Sequence, residues 1–264
     1  MRHKDAKHLV MKLKETVILS AALLAFSEAG SADALTNQQV MEPVVAASKG
    51  NTADMIKLIS NAKSGDAYAQ TELGLFYVEK KNYAKAISWF QKAANHGYAP
   101  AEDGLALVYY KGLGVPQNYT TKAVYWYGKA AQQGSIAAEY TLGLAYAKGQ
   151  GVSKDYAKAI SWFQKAANHG YAPAEDGLAL VYYKGLGVPQ NYIKAAYWYK
   201  KAAQQGNISA EYTLGLMYAN GQGVDKNNKA AIYWWQKAAA QGGEYGNIAR
   251  HNITIVEHNN SEQG

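Results

Sequence analysis

Residues 83–119 read YAKAISWFQKAANHGYAPAEDGLALVYYKGLGVPQNY, and residues 156–192 repeat the same letters, displaced by 73 positions. Inside that block a shorter period runs. Trp89, Trp126, Trp162, Trp198 and Trp234 are 37, 36, 36 and 36 residues apart, and Gly97, Gly134, Gly170, Gly206 and Gly242 keep the same step. A fixed period of this size is the mark of a helical array, and the long identity shows that a two-repeat segment was copied whole.

The third unit, residues 135–170, shows what one period encodes. Ala138, Leu142, Ala145 and Tyr146 fall at i, i+4, i+7 and i+8, which predicts an amphipathic helix over Ala138–Lys148. Gly149-Gln150-Gly151-Val152 breaks it with two residues that tolerate positive φ. Asp155 reads as an N-cap, and Ala159, Trp162, Phe163 and Ala166 line one face of a second helix. Asn168-His169-Gly170 closes it with glycine just past the end. Such a hairpin cannot bury its own apolar stripe and must stack on its neighbours.

The pattern Ala138…Leu142-Gly143…Tyr146…Gly149-Gln150-Gly151-Val152…Trp162…Lys165-Ala166-Ala167…Gly170 resembles the Sel1-like repeat, a relative of the tetratricopeptide repeat. The fifth unit carries it equally well (Ala210, Leu214-Gly215, Tyr218, Gly221-Gln222-Gly223-Val224, Trp234, Lys237-Ala238-Ala239). Units two and four place Ala106 and Ala179 at the helix glycine, and unit one has Glu79-Lys80-Lys81-Asn82 in place of the glycine turn. The resemblance implies an all-α solenoid of five hairpins: 67–97, 98–134, 135–170, 171–206 and 207–242. Residues 33–66 are expected to cap one end with two short helices around Gly50, the first limited by Pro43. Residues 243–264 are expected to form a capping helix, with Ile248, Ile253 and Ile255 as apolar points, and a polar tail.

The first 32 residues read differently. Arg2, Lys4, Lys7, Lys12 and Lys14 precede an apolar run from Thr16 to Phe26, and Gly30-Ser31-Ala32 offers a small-residue cleavage site. This is the layout of a secretory signal peptide, and the run is too short for a bilayer core of ~30 Å. Translation from Met11 would give a more compact signal. The expectation is a periplasmic or secreted protein beginning near Asp33. Without residues 1–32 the net charge is +5, scattered through the repeats rather than gathered in the stripe that nucleic-acid binding requires. The chain has no Cys, which excludes a disulfide scaffold, a thiol nucleophile and thiolate metal sites. It has 22 Tyr and 6 Trp against 4 Phe, a choice of aromatics with a polar edge.

Motifs for catalysis are weak. His96 and His169 end copied helices, where a cationic imidazole suits the helix C-terminus, and His251 and His258 with Glu257 lack metal-ligand spacing. The G-x-G-V turns join helix to helix and lack the lysine of a phosphate loop. Some Sel1-like proteins are associated with β-lactam binding or hydrolysis. Ser60-Asn61-Ala62-Lys63 matches S-x-x-K and Lys63-Ser64-Gly65 a K-[ST]-G triad, yet both need Lys63 and no S-D-N follows. Glu102, Glu139, Glu175 and Glu211 recur at equivalent first-helix positions and read as charges favourable to the helix dipole rather than as an acid–base pair.

No cofactor or metal is implied, and what remains is a surface. By analogy with tetratricopeptide arrays, the first helices line a concave groove for a protein or peptide. The positions two before, two after and five after the core leucine are then Thr71, Leu75 and Val78; Asp103, Leu107 and Tyr110; Tyr140, Leu144 and Ala147; Asp176, Leu180 and Tyr183; Tyr212, Leu216 and Ala219. Lys111 and Lys184 follow at the edge, while Trp162, Tyr197, Trp198, Trp234 and Trp235 of the second helices read as core. The expected role is a binding scaffold without catalysis. The more specific alternatives are a periplasmic immunity protein that neutralises a toxin, an envelope adaptor, and a hydrolase or binder of β-lactams or cell-wall fragments.

Overall fold

The computed structural model describes residues 52–115 and 120–261. The expected signal peptide, the cap segment before Thr52, the turn residues 116–119 and the last three residues lie outside this range. Twelve helices and no strand occur among the described residues: α1 (Thr52–Lys63), α2 (Ala67–Glu79), α3 (Tyr83–Asn95), α4 (Ala99–Tyr110), α5 (Thr120–Gln132), α6 (Ile136–Lys148), α7 (Tyr156–Asn168), α8 (Ala172–Lys184), α9 (Tyr192–Gln204), α10 (Ile208–Asn220), α11 (Asn228–Gln241) and α12 (Gly243–Ser261). The class is an all-α solenoid of helical hairpins. Two compact units divide it: one holds the described residues up to Ala145 with Gly149–Ser153, the other Tyr146–Lys148 with Lys154 onward. No described helix is long and apolar enough to cross a membrane.

Helix boundaries follow from capping side chains. Asp66, Ser135 and Asn207 open α2, α6 and α10 by accepting the amide three residues on, and Asn82, Asp155, Asn191 and Asn227 do the same for α3, α7, α9 and α11. α4 and α8 use Pro100 and Pro173 in the first turn instead. His96 and His169 are the exposed C-cap residues of α3 and α7.

The paired glycines of the turn have two separate duties. The first takes the left-handed conformation that ends the helix, as at Gly185 (φ 68°) and Gly221 (φ 68°). The second is also left-handed, and it lies against the start of the preceding repeat's second helix: Gly114 against Tyr83, Gly151 against Thr120, Gly187 against Tyr156, and Gly223 against Tyr192. A Cβ at Gly151 would come within 2.5 Å of the Thr120 carbonyl oxygen. The first repeat, which lacks the glycines, turns through Lys81 at φ 56°.

The core is built from alanine against aromatics. Ala86, Ala93 and Ala94 on α3, and Ala195, Ala202 and Ala203 on α9, are wholly enclosed, so helices approach closely and leave room for a few large rings. Phe90 fills the space between Gly74 and Gly104, where an added Cβ would stand 2.5 and 2.7 Å from its ring. Trp235 fills the same role beside Gly215 and donates its indole N–H to the Tyr212 carbonyl at 3.1 Å.

The C-terminal helix differs from expectation. α12 buries Ala249 fully, with Ile253 and Val256 packed beside it, an i, i+4, i+7 stripe. Ile248 and Ile255 point outward. Arg250 donates to the Ala239 carbonyl at 2.7 Å and thereby caps the end of α11. Tyr197 also departs from its reading as core: it is 55% exposed, while Trp162 and Trp198 are half-buried and Trp234 and Trp235 buried.

Candidate functional site

The first-helix positions are not equivalent in burial. Thr71 is buried and donates its hydroxyl to the Ala67 carbonyl at 2.8 Å, so it offers nothing to a partner. Tyr212, Leu216 and Ala219 of α10 are partly covered by α12, with Tyr212 and Tyr245 ring centroids 5.4 Å apart. Leu75 and Val78 on α2, and Tyr140, Leu144 and Ala147 on α6, are half-buried.

The duplicated block presents the remaining positions twice, once in each unit. On α4, Leu107 and Tyr110 are half-buried and Lys111 exposed; on α8, Leu180 and Lys184 are exposed and Tyr183 half-buried. Tyr110 donates its hydroxyl to Gln150 at 3.3 Å and packs edge-on to Tyr127 at 6.4 Å. Tyr183 donates to Gln222 at 3.3 Å and packs edge-on to Tyr192 at 5.3 Å and Tyr199 at 6.2 Å. Each tyrosine is thereby clamped between a following repeat's turn and a buried ring, which leaves a rigid ledge flanked by leucine and lysine.

Asp103 and Asp176 lie beneath these ledges rather than on them. Ser135 donates to Asp103 Oδ2 at 2.6 Å while its own oxygen accepts the Ala138 amide, so the aspartate braces the cap of α6. In the second copy the cap residue is Asn207, and the bond to Asp176 comes from Ser209. Both Oδ1 atoms are buried without a hydrogen-bond partner. Burial pushes Asp103 up to about 7, against the pull of Ser135, and Asp176 to about 6. Glu72 on α2 is raised to about 7 by the same cause. Tyr127 and Tyr199 are raised by burial and by the aspartates beside them.

These shifts fix a sign. A carboxyl whose folded pKa is raised favours folding when protonated, so its contribution is complete below pH ~4 and is lost as pH rises through 6–7. Thermal midpoints measured between pH 4 and 8 are expected to fall toward pH 8 from this source. The triple variant Glu72→Gln/Asp103→Asn/Asp176→Asn is expected to flatten that slope; an unchanged slope would remove these groups from the account.

The recurrent glutamates have a partner that sequence reading missed. Glu102, Glu175 and Glu211 are buried and accept from Gln133 (2.7 Å), Gln205 (2.7 Å) and Gln241 (2.8 Å), the residues that follow or end the second helix of the same repeat. The signal was present: glutamine stands before the closing glycine in those three repeats, and histidine in the first and third. Burial raises all three carboxyls, and Lys129, Lys201 and Lys237 and the glutamines pull them down. This clasp joins the two helices of a hairpin and has no acid–base geometry.

Ser60 and Lys63 are both exposed on the last turn of α1, and the Ser64 hydroxyl donates to the Asn61 carbonyl at 2.7 Å. Among the described residues no group of three His, Asp or Glu is placed to hold a metal ion.

Known proteins share the repeat and the fold. The Sel1 repeat family matches residues 67–98, 99–135, 136–171, 172–207 and 208–243. A crystal structure of a protective antigen present in uropathogenic Escherichia coli strains, described as displaying an SLR fold, is 42% identical with a TM-score of 0.70, covering 72% of this chain and 41% of that one. A Sel1 repeat protein from Oxalobacter formigenes is 31% identical with a TM-score of 0.71, covering 78% of this chain and 86% of that one. A sel1-like repeat-containing protein of Acanthamoeba polyphaga mimivirus is 41% identical over 68 residues, 26% of this chain and 12% of its own length. The chain thus spans under half of the E. coli antigen and a small part of the viral protein.

Proposed function

Because the chain belongs to the Sel1 repeat family, its five repeats filling residues 67–243, we propose that it is an exported scaffold. It holds a protein or peptide partner on the first-helix face and carries out no chemistry itself. The observation that carries this reading is the doubled tyrosine ledge. Tyr110 and Tyr183 sit in copied segments, each with a hydroxyl bond to the next repeat's turn and an exposed lysine beside it. A pre-ordered tyrosine with a leucine neighbour supplies contact area at little entropic cost. Export rests on the basic start, the apolar run and Gly30-Ser31-Ala32.

Two measurements test the proposal. Residues 33–264 carrying an affinity tag should retain a partner from an envelope extract, and the Tyr110→Ala/Tyr183→Ala variant, with unchanged helicity, should retain it at least about tenfold less well. Equal retention would move binding off the ledges. Expression of the full chain followed by fractionation and N-terminal sequencing should give an envelope species that starts near Asp33; a cytoplasmic chain beginning at Met1 or Met11 would contradict export.

A further inference from the structure

The second helices carry a charge pattern unlike the rest of the molecule. α3, α5, α7, α9 and α11 contain eleven lysines and no Asp, Glu or Arg. None has an acidic residue in its first turn, where the helix dipole favours one. On α9 and α11 three of the five lysines lie over rings. Lys194 lies over Tyr182 at 5.2 Å, Lys201 over Tyr197 at 5.4 Å and Trp198 at 5.1 Å, and Lys237 over Tyr233 at 5.5 Å and Trp234 at 5.2 Å. Tyr197 and Tyr233 occupy equivalent positions on α9 and α11 and are 55% and 51% exposed, each edge-on to its tryptophan at 5.0 Å. Trp234 packs into the cluster that holds Ala196 and Tyr199 of α9, and the turn before α11 meets the start of α9, where Gly223 lies against Tyr192 and Ile193.

We infer that this acid-free lysine–tyrosine face of α9 and α11 is a second docking surface, and that its occupant is an acidic polypeptide segment. The charge complement is the first ground. Lys201 and Lys237 act electrostatically on Glu175 and Glu211, which are buried and already hydrogen-bonded by Gln205 and Gln241. Exposed Asp225 lies outside the helices, in the turn before α11. The spacing is the second ground. Lys194 and Lys201 are seven residues apart on one helix face, ~10 Å along the axis, which an extended chain spans in about three residues. A partner segment in the polyproline-II conformation turns once every three residues and rises ~9 Å, so acids at every third position share one face and meet both ammonium groups with a tyrosine between them. Ring stacking pre-orders Lys194, Lys201 and Lys237, which lowers the entropy lost on binding. A nucleic acid fits less well, since no guanidinium fork is present for bidentate contact. A membrane fits less well too, because beside Tyr197 and Tyr233 the two helices expose one large aliphatic side chain, Ile193, which does not make an apolar wedge.

The test uses the full chain and fluorescein-labelled poly-L-glutamate, read by anisotropy at about 50 and 200 mM salt. Wild type should bind and weaken with salt. Lys201→Glu/Lys237→Glu should weaken binding at least about tenfold, and Lys201→Gln/Lys237→Gln by less. Tyr197→Ser/Tyr233→Ser should weaken it several-fold with charge unchanged. Lys63→Glu/Lys226→Glu makes the same change in net charge at exposed positions off the face and should leave binding within about twofold. Equal losses in the two reversal variants, no binding by wild type, or tighter binding of polygalacturonate or duplex DNA would each overturn the inference.

Discussion

Gly223→Val is expected to lower the unfolding free energy by more than about 3 kcal/mol, among the largest effects of any single turn substitution. Two costs combine there. At φ 70° any residue with a Cβ is strained by about 1–2 kcal/mol, and a β-branched one by more. The added carbon would also fall on the Tyr192 carbonyl and the Ile193 amide, which belong to the backbone of α9 and cannot rotate away. Gly206→Ala separates the two costs. Gly206 has φ 82° with nothing within 4 Å, so only the strain of about 1–2 kcal/mol applies. Urea unfolding of both variants reads the difference. If Gly223→Val costs no more than Gly206→Ala, the second glycine of the turn serves conformation alone and not the approach of one repeat to the next.

The second large effect is at Trp235, whose replacement by alanine should cost about 3–5 kcal/mol. Its ring is 2% exposed and packs onto Gly215 of α10. Gly215→Ala alone should destabilise, because the new methyl meets the indole. In the Trp235→Ala background the same change should become stabilising by up to ~1 kcal/mol, since the clash is gone and alanine is the better helix former. A cycle of four proteins measures this change of sign. Destabilisation of similar size in both backgrounds would mean that Gly215 is needed for something other than the ring.

Most of the fold was legible because the repeat states the same pattern five times. Ala138, Leu142 and Tyr146 give a helix, Gly149 and Gly151 a break, and Asp155 a cap that is observed at 3.0 Å from the Lys158 amide. Period and turn chemistry are local, so a single sequence reports them. Legibility fell where tertiary contacts decide. Ile248, Ile253 and Ile255 read as the apolar points of the last helix, yet only Ile253 packs inward and small Ala249 holds the closest position, because α12 must approach α11 and can be clasped there by Arg250. Tyr197 looked like core beside Trp198, but the Lys194–Lys201 face turns it to solvent.

The candidate site shows the same division. Counting from the core leucine located Tyr110 and Tyr183, which the structure leaves half-exposed at equivalent places. The same count also selected Asp103 and Asp176, whose carboxylates are enclosed, and Thr71, whose hydroxyl is spent on its own helix. Helical register tells which side a residue faces and not how deep the neighbouring repeat covers it. The buried Glu–Gln clasps escaped for a related reason: Glu102 and Gln133 are 31 residues apart, and only the folded hairpin brings them to 2.7 Å.

The central claim is that the copied tyrosine ledges hold a partner. Site-specific photocrosslinking in cells tests it most directly, with the photoreactive residue placed singly at Tyr110, at Tyr183 and at exposed Ile255 on α12. One discrete adduct of the same mass is expected from both tyrosine positions and none from Ile255. An adduct at Ile255 with none at either tyrosine would contradict it.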